Sequence, residues 1–335
     1  MKKVLVDMNV DPQGLDKLKA LKDVNVTVIP ASEQFRRIDP AIITDKHILF
    51  CSVPPTNVGD MKSLEFIQIA SAGYTQLFDR GLVERGIRCS NAAGVNDIPI
   101  AQWNIAMIIN LARNLRGMIR NQESGVWERP ARFQMDVRGK TLGIWGYGGI
   151  GRETARLAKT IGMKVHVLDL KVGPRPTMFV VNGTGDPEGI LPDKVFGPEQ
   201  KNEFLCGLDF LVLCMPLTKR TESIIGYDEL TTLPNNAFVL NPARGPLIKE
   251  EALLKVLREG KIAGVALDTH YYYPMPSDHP LWRFPNVIMT PHISGSTLSP
   301  NFLAMVWDLF VQNVERITNA KELLNELTPS QLTGA

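Results

Sequence analysis

A glycine-rich turn is the first set of residues whose types and spacing could do chemistry. The pattern G-x-G-x-x-G is spelled by Gly146-Tyr147-Gly148-Gly149-Ile150-Gly151. In a nucleotide-binding turn, Gly146 would permit the tight turn, Gly148 would let the backbone approach a pyrophosphate, and Gly151 would let a helix pack close to a strand. The N–H groups at the start of the following helix would face the phosphates. All of these residues except Tyr147 are therefore candidate contacts to a dinucleotide.

The sequence around the turn strengthens this interpretation, because the pattern alone is common. Residues 141–145 predict a strand and residues 152–161 an amphipathic helix. The next predicted strand, 164–168, ends at Asp169, near the distance expected for the carboxylate that holds an adenosine ribose. Such a carboxylate accepts hydrogen bonds from two ribose hydroxyls and repels a 2′-phosphate, so NAD is favoured over NADP. Lys171 adds a cation nearby, which leaves NADP open.

Parallel sheets are needed to position these residues, and the sequence predicts two of them. Short apolar runs alternate with helical patterns throughout, which is typical of α/β proteins. In the first hundred residues the predicted strands are Val4–Val6, Val24–Ile29, Ile48–Phe50 and Phe66–Ala70. In the second series the six predicted strands are 142–145, 164–168, 210–214, 237–240, 264–267 and 287–289. We therefore expect two doubly wound parallel-sheet domains.

Two connecting segments stand out between the predicted strands. Helical spacing of apolar residues from Ile98 to about Ile119 predicts one long helix that bridges the domains. Residues 171–200 are rich in glycine and proline and too long for an ordinary connection. For this excursion we predict a hairpin through Met178–Val181 that packs on another subunit.

The composition excludes several other classes of function. The chain has 335 residues, and Lys+Arg 37 against Asp+Glu 35 leaves a net charge of +2. It therefore has no basic field to hold nucleic acid or an anionic membrane. No apolar stretch is long enough for a membrane-spanning helix or a signal peptide, which predicts a cytoplasmic protein. The four cysteines show neither a C-x-x-C pair nor zinc-ligand spacing, so we expect buried, reduced thiols and no metal site.

Seven short motifs occur in one order along nearly the whole chain. They are Ser71-Ala72-Gly73-Tyr74, Asn96 to Gln102, the glycine turn, Cys214 to Thr218, Asn241 to Gly245, Gly264 to Asp268, and Asn286 through Gly295. In these motifs the sequence resembles the D-isomer-specific 2-hydroxyacid dehydrogenases, a superfamily that also contains formate and phosphite dehydrogenases. The resemblance implies a flavodoxin-like substrate domain, residues 1–100 plus 292–335, with a Rossmann NAD-binding domain, residues 101–291, inserted in it. The resemblance also implies a homodimer and an active site in the cleft between the two domains.

The resemblance assigns two catalytic residues, and their chemistry fits the assignment. Arg244 follows the strand that ends at Leu240, at the edge where doubly wound sheets bind ligands. Its guanidinium could hold a substrate carboxylate through two hydrogen bonds and polarise the keto oxygen. His292 would pass a proton to or from the substrate oxygen while hydride moves to or from the nicotinamide.

Further contacts are implied by the resemblance alone. The substrate carboxylate would be bound by the backbone N–H groups of Ala72, Gly73 and Tyr74, with Asn96 and Ser294. On the nicotinamide carboxamide the implied contacts are Ala243 and Asp268. On the rest of the nucleotide, besides the glycine turn and Asp169, they are Cys214, Pro216, Thr221 and Gly295.

The sequence departs from the family pattern beside the catalytic histidine. In the hydroxyacid enzymes a Glu lies five residues after the position of Asp268 and pairs with the histidine, and formate dehydrogenases have Gln there. This chain has Tyr273, a phenol that can bond to an imidazole but supplies no negative charge. Gln102 stands where relatives usually carry Glu. Residues 291–297 look more like the formate enzymes than the lactate or glycerate enzymes.

Three functions are consistent with these residues. The leading hypothesis is an NAD-dependent oxidoreductase that interconverts a small 2-keto acid and its D-2-hydroxy acid. The second keeps the hydride chemistry but takes formate or another small anion as the substrate. The third is a dinucleotide-sensing binding protein whose chemistry has lapsed with the missing Glu. Because Arg244 and His292 are retained, we favour an enzyme.

Overall fold

The structure is a computed structural model that describes residues 1–129, 134–295 and 299–333. Its strands are β1 (Lys2–Asp7), β2 (Val24–Val28), β3 (Ile48–Cys51), β4 (Phe66–Ile69), β5 (Arg88–Ser90), β6 (Thr141–Trp145), β7 (Lys164–Leu168), β8 (Lys194–Phe196), β9 (Phe210–Leu213), β10 (Phe238–Asn241), β11 (Gly264–Leu267) and β12 (Val287–Met289). Its α-helices are α1 (Pro12–Ala20), α2 (Pro40–Ile43), α3 (Asp97–Ala112), α4 (Leu115–Glu123), α5 (Gly149–Thr160), α6 (Lys201–Cys206), α7 (Tyr227–Thr232), α8 (Glu250–Glu259), α9 (Pro300–Thr318) and α10 (Pro329–Leu332).

The first compact unit contains a five-stranded parallel sheet. It comprises Met1–Asn96, Pro176–Val181 and Ser296–Ala335, and its strand order is β2-β1-β3-β4-β5, the order of flavodoxin-like folds. Strands β3 and β4 are buried along their whole length, as expected for parallel strands covered on both faces. One face carries α1 and α9, where Trp307 packs edge-on against Phe50.

The second compact unit contains a seven-stranded parallel sheet. It comprises Asp97–Arg175 and Asn182–Gly295, with the order β12-β11-β10-β9-β6-β7-β8. This is the dinucleotide-binding arrangement, in which the first strand, β6, lies where the strand order reverses. Because all the strands are parallel, the residues that follow them meet at one edge of the sheet.

The predicted α/β class with two parallel sheets is confirmed, while three details of the prediction are wrong. The second sheet has seven strands instead of six, because the exposed three-residue strand β8 gives no periodic signal. Strand β5, with three residues, was missed for the same reason. The single long helix predicted from Ile98 to Ile119 is two helices, because Asn114 between them adopts a left-handed conformation with φ of 47°.

The excursion also differs from the prediction. Residues 176–181 form no strand, so the predicted hairpin is wrong, and they belong to the first unit of their own chain. The physical reason is Phe179, which is 7% exposed and lies in the same apolar cluster as Ala92 and Val95. Packing of this segment on another subunit stays a prediction. We call Pro176–Val181 the strap.

Several further features follow from the described residues. None of the described helices is both long and apolar enough to cross a membrane. No group of three or more His, Cys, Asp or Glu side chains within the described ranges could hold a metal ion. The cysteines are unpaired, and Cys206 is exposed, contrary to the prediction that all four thiols are buried.

Candidate active site

The glycine turn between β6 and α5 has the backbone that the pattern predicts. Gly146 has φ of 100°, and a Cβ there would lie 2.7 Å from the backbone nitrogen of Met215. A Cβ on Gly151 would collide with the carbonyl oxygen of Gly146, and one on Gly149 with the carboxylate of Asp97. Gly146 and Gly151 therefore have no room for a side chain because backbone atoms fill the space, whereas a side chain at Gly149 would have to displace Asp97.

Gly148 is different, because no described atom lies within 4 Å of where its Cβ would be. Packing within the chain therefore does not explain a glycine there, whereas a bound group approaching the backbone would. Gly148 is also the N-cap of α5 and gives it no side-chain capping bond. The first N–H groups of α5 therefore receive no side-chain cap and lie beside this open space, where a helix N-terminus can hold a pyrophosphate. The residues of the turn, including Ile150 in the first turn of α5, thus fit a dinucleotide.

Asp169 directly follows β7 and is held against the glycine turn. One carboxylate oxygen accepts from the Tyr147 N–H at 2.5 Å and the other from the Lys171 N–H at 3.0 Å. Arg175 places a guanidinium nitrogen 3.8 Å from the same carboxylate. The side chain is 16% exposed, so the carboxylate can still be reached at the edge of the sheet.

Arg152, which the sequence analysis did not single out, ties the excursion to this turn. Its fully buried guanidinium donates to the carbonyl oxygens of Tyr147, Gly173 and Asp186. Burial lowers the pKa of Arg152. The sequence signal for Arg152 was a cation directly after the last glycine, but its carbonyl acceptors could not be predicted from local spacing.

Arg244 lies in a turn after β10 that Asn241 builds. The Asn241 side-chain oxygen accepts from the N–H groups of Ala243 and Arg244, at 3.1 and 3.2 Å, and its amide donates to the Arg244 carbonyl at 2.8 Å. Burial lowers the pKa of Arg244, and Tyr273 opposes this effect. No carboxylate of the described residues pairs with this guanidinium, so it is a partly buried cation prepared for an anion.

His292 lies in a turn after β12 that Asp268 holds in place. The His292 N–H donates to the Asp268 carbonyl at 2.8 Å, and the residue has a left-handed φ of 57°. The buried Asp268 carboxylate accepts from Thr290 Oγ1 at 2.5 Å, from Ile293 N at 2.9 Å, and from both N and Oγ of Ser294. These bonds hold a backbone conformation that is unfavourable for histidine. The predicted contacts of Asp268 to nicotinamide and of Ser294 to substrate stay predictions.

The electrostatic surroundings of His292 favour its neutral form. Burial lowers its pKa most, and the positive charge of Arg244 lowers it further. Asp268 opposes these effects, whereas His270 adds to them. Arg244 and His292 are thus close enough to influence each other, as the prediction of a shared site requires.

Tyr273 lies beside His292 at the position where the family has Glu. The two rings are 5.6 Å apart between centroids, and the Tyr273 oxygen accepts from the His270 N–H at 3.2 Å. His270 is itself buried, bonds through Nε2 to the Thr290 carbonyl at 2.7 Å, and leaves Nδ1 without a partner among the described residues. Sequence reasoning did not identify His270, which carried no motif signal.

The predicted substrate-binding residues of the first unit form a turn after β4. Within the described residues, the N–H groups of Ala72, Gly73 and Tyr74 donate to no acceptor. Successive N–H groups in a turn can bind an anion where they converge. The Tyr74 side chain is buried, and burial raises its pKa. Asn96 is also buried, and its side-chain oxygen has no described partner.

The remaining predicted nucleotide contacts lie near the carboxyl ends of the strands of the second sheet. Cys214 follows β9, its N–H donates to the Trp145 carbonyl at 2.8 Å, and burial raises the pKa of its thiol. Thr221 Oγ1 donates to the Pro216 carbonyl at 2.7 Å. Gly295 is partly buried. Ser296 and Thr297, the last two residues of the formate-like segment, lie outside the described residues.

Comparisons with known proteins agree with this architecture. The family model for the D-isomer specific 2-hydroxyacid dehydrogenase NAD binding domain matches residues 105–294, more than half of the chain. A glyoxylate reductase of Thermofilum pendens is 29% identical over 308 residues, which cover 88% of this chain and 86% of that one. A D-3-phosphoglycerate dehydrogenase of Methanocaldococcus jannaschii is 31% identical over 304 residues, 89% of this chain. The chain spans only 54% of that relative's length.

A solved structure shows the same fold. The D-isomer specific 2-hydroxyacid dehydrogenase of Xanthobacter autotrophicus, in complex with NADPH and MES, superposes with a TM-score of 0.76 at 23% identity. The superposition covers 98% of this chain and 99% of that one. With the family match and these relatives, the chain belongs to the D-isomer specific 2-hydroxyacid dehydrogenase family, an oxidoreductase family with an NAD-binding domain.

Proposed function

We propose that this protein reduces a small 2-keto acid, or oxidises the corresponding D-2-hydroxy acid, with NAD as the nucleotide. The observation that carries the proposal is that Arg244 follows β10 and His292 follows β12 at one edge of the sheet, and that no carboxylate of the described residues pairs with the guanidinium. A site of this kind provides a fixed cation for a substrate anion and an adjacent group that can exchange a proton.

The proposal gives a task to each site residue of the second unit. The Arg244 guanidinium binds the substrate carboxylate and polarises the keto oxygen. Protonated His292 donates its proton to that oxygen during reduction and takes one back during oxidation. Asp268 keeps His292 in its strained conformation. When bound, the nicotinamide ring supplies or accepts the hydride. Ala243, Cys214, Pro216, Thr221 and Gly295 are proposed nucleotide contacts.

The division of labour between domains is part of the same proposal. We assign the nucleotide-binding domain to residues 101–291 and the substrate domain to residues 1–100 plus 292–335, with Arg244 and Gly295 as contacts that do not follow this division. The glycine turn and Asp169 support the first assignment. The N–H groups of Ala72–Tyr74, which have no acceptor among the described residues, support the second. The homodimer and the cytoplasmic location also stay predictions.

One assay panel tests the proposed reaction. NADH oxidation is measured with glyoxylate, pyruvate and hydroxypyruvate, and NAD reduction is measured with formate and phosphite. We expect saturable activity with at least one keto acid and none with formate or phosphite. Activity with formate alone would favour the small-anion dehydrogenase. Tight NADH binding without turnover on any substrate would favour a binding protein.

Nucleotide preference is expected to depend on Asp169. The unmodified protein should bind NADH more tightly than NADPH, because the carboxylate accepts from ribose hydroxyls and repels a 2′-phosphate. Asp169→Ala should weaken NADH binding by about tenfold and reduce the preference between the two nucleotides. Titration of intrinsic fluorescence with each nucleotide measures both dissociation constants.

A matched variant separates the charge of Asp169 from its bond to the glycine turn. Asp169→Asn keeps an acceptor for the Tyr147 N–H but removes the negative charge. If this variant also loses the preference, the charge is responsible. Tighter binding of NADPH than NADH by the unmodified protein would contradict the assignment and would make Arg175, beside Asp169, the residue to examine for phosphate binding.

The pH dependence of reduction is expected to reflect the missing Glu. Reduction needs protonated His292, so kcat/KM should fall as pH rises through its pKa. Burial and Arg244 hold that pKa below its ordinary value, and the fall should therefore begin at acidic pH. Tyr273→Glu would place a carboxylate beside the imidazole and raise its pKa, so the fall should move upward by about one pH unit. A pH series of kcat/KM on both proteins measures the shift.

The control for this prediction is Tyr273→Gln, which has nearly the size of Glu without its charge. It should leave the position of the fall close to that of the unmodified protein. An equal shift in the Gln and Glu variants would show that removal of the phenol is the cause. No shift in either variant would contradict the acid–base role of His292.

A further inference from the structure

One side chain joins the two substrate-binding segments of the first unit. The Asn91 amide donates to the Ala72 carbonyl at 2.7 Å. Beside it, the Ala92 N–H donates to the Ser71 carbonyl at 2.9 Å. The turn Ser71–Tyr74 and the loop Asn91–Asn96, which we call the paired loops, are therefore fixed to each other through carbonyl groups. This arrangement leaves the N–H groups of Ala72–Tyr74 available to an anion.

Asn325 in turn holds the second of the paired loops. Its amide nitrogen donates to the Ala93 carbonyl at 2.8 Å and to the Asn91 carbonyl at 3.3 Å. Asn325 is more than 200 residues away from both in sequence and has a left-handed φ of 55°. Asparagine tolerates this backbone conformation better than most residues, and here it also supplies the bonds.

The strap forms hydrogen bonds with two other groups of Asn325. The Asn325 side-chain oxygen accepts from the Phe179 N–H at 2.9 Å, and the Asn325 N–H donates to the Thr177 carbonyl at 2.8 Å. Gly94, with φ of 93°, has no room for a Cβ because the Phe179 carbonyl oxygen lies against it. The strap and Asn325 thus clamp the paired loops from one side, next to Asn96.

We propose that Asn325 is a positioning residue for substrate binding. Together with the strap, it holds the paired loops in the conformation in which the N–H groups of Ala72, Gly73 and Tyr74 converge on the substrate carboxylate. Asn325 itself touches no substrate. This inference rests on the proposed function, which assigns that carboxylate to these N–H groups.

The test uses Asn325→Gly, which keeps the left-handed backbone conformation but deletes the three side-chain hydrogen bonds. The KM for the preferred keto acid, glyoxylate in the first instance, should rise at least about tenfold. Turnover should change less than about threefold, and the Kd of NADH less than about twofold, because neither step uses these loops. Asn325→Asp keeps the bond to the strap but loses both amide donors, and its KM should rise similarly.

The control for general loss of stability is Leu18→Ala, a fully buried residue of α1 in the same unit. It should lower the melting temperature while leaving KM within about twofold. A KM in Asn325→Gly that equals the unmodified value overturns the inference. An equal rise of KM in Leu18→Ala overturns it too, because the effect would then follow from destabilisation.

Hydrogen exchange separates this inference from the proposed function. In the full-length chain, Asn325→Gly should accelerate amide exchange of peptides covering Ser71–Tyr74 and Asn91–Asn96 and leave the glycine turn unchanged. If the unmodified protein reduces no keto acid, the proposed function fails, while faster exchange would still show that Asn325 orders these loops. Unchanged exchange overturns the inference whether or not the protein is active. If Asn325→Gly does not fold, Asn325→Asp is measured in the same way.

Discussion

Replacement of His292 by glutamine is expected to lower turnover of keto-acid reduction by about 10²- to 10⁴-fold, the range found for a general acid–base group. Glutamine can still donate a hydrogen bond to the substrate oxygen but cannot release a proton to it. The KM should change much less, because Arg244 still binds the carboxylate. The fall of activity with rising pH that His292 causes should disappear from the residual activity. Steady-state kinetics across pH measure both effects.

His166→Gln is the matched control for this prediction. His166 lies in β7 of the same unit, and burial lowers its pKa as it does for His292. It carries no proposed role, so its replacement should leave turnover nearly unchanged. Retention of most of the activity in His292→Gln, or an equal loss in His166→Gln, would contradict proton transfer by His292.

Arg244→Lys is expected to lower kcat/KM by on the order of 100-fold, with KM raised and turnover reduced together. Lysine keeps the positive charge but replaces the planar fork by a single ammonium, which cannot bind both carboxylate oxygens in one plane. The Kd of NADH should stay nearly the same. Kinetics with the preferred keto acid and a nucleotide titration measure the two quantities separately.

The control here is Arg258→Lys on the exposed side of α8 in the same unit. It makes the same chemical change away from the sheet edge and should leave both quantities unaltered. Activity of Arg244→Lys equal to that of the unmodified protein would remove Arg244 from the site. A large loss of NADH affinity in this variant would instead place the guanidinium against the nucleotide.

Features that depend on local sequence could be predicted. The glycine turn and Asp169 lie within 25 residues of one another, and the alternation of strands and helices places them at one sheet edge. Strand β8, with three residues mostly exposed, is too short to show a period. The break at Asn114 was hidden because apolar residues keep helical spacing on both sides of it.

Features that depend on distant contacts could not be predicted. The buried charge of Arg152 is stabilised by carbonyl groups 21 and 34 residues away, which no motif encodes. His270, after β11, is held by a hydrogen bond to Thr290, which follows the neighbouring strand β12. For the strap, the sequence predicted a hairpin where the chain is irregular, because the site where Phe179 is buried is formed by residues from the two ends of the chain.

The strap also limits how this chain can be divided or recombined. A gene fragment cut continuously from Asp97 to Gly295 would encode the second unit together with six residues that belong to the first. Phe179 would then be separated from the apolar cluster that buries it, leaving a large apolar side chain in water. A fragment or chimera of this protein is cut at the two ends of the inserted unit. It also needs Pro176–Val181 replaced by a short polar linker.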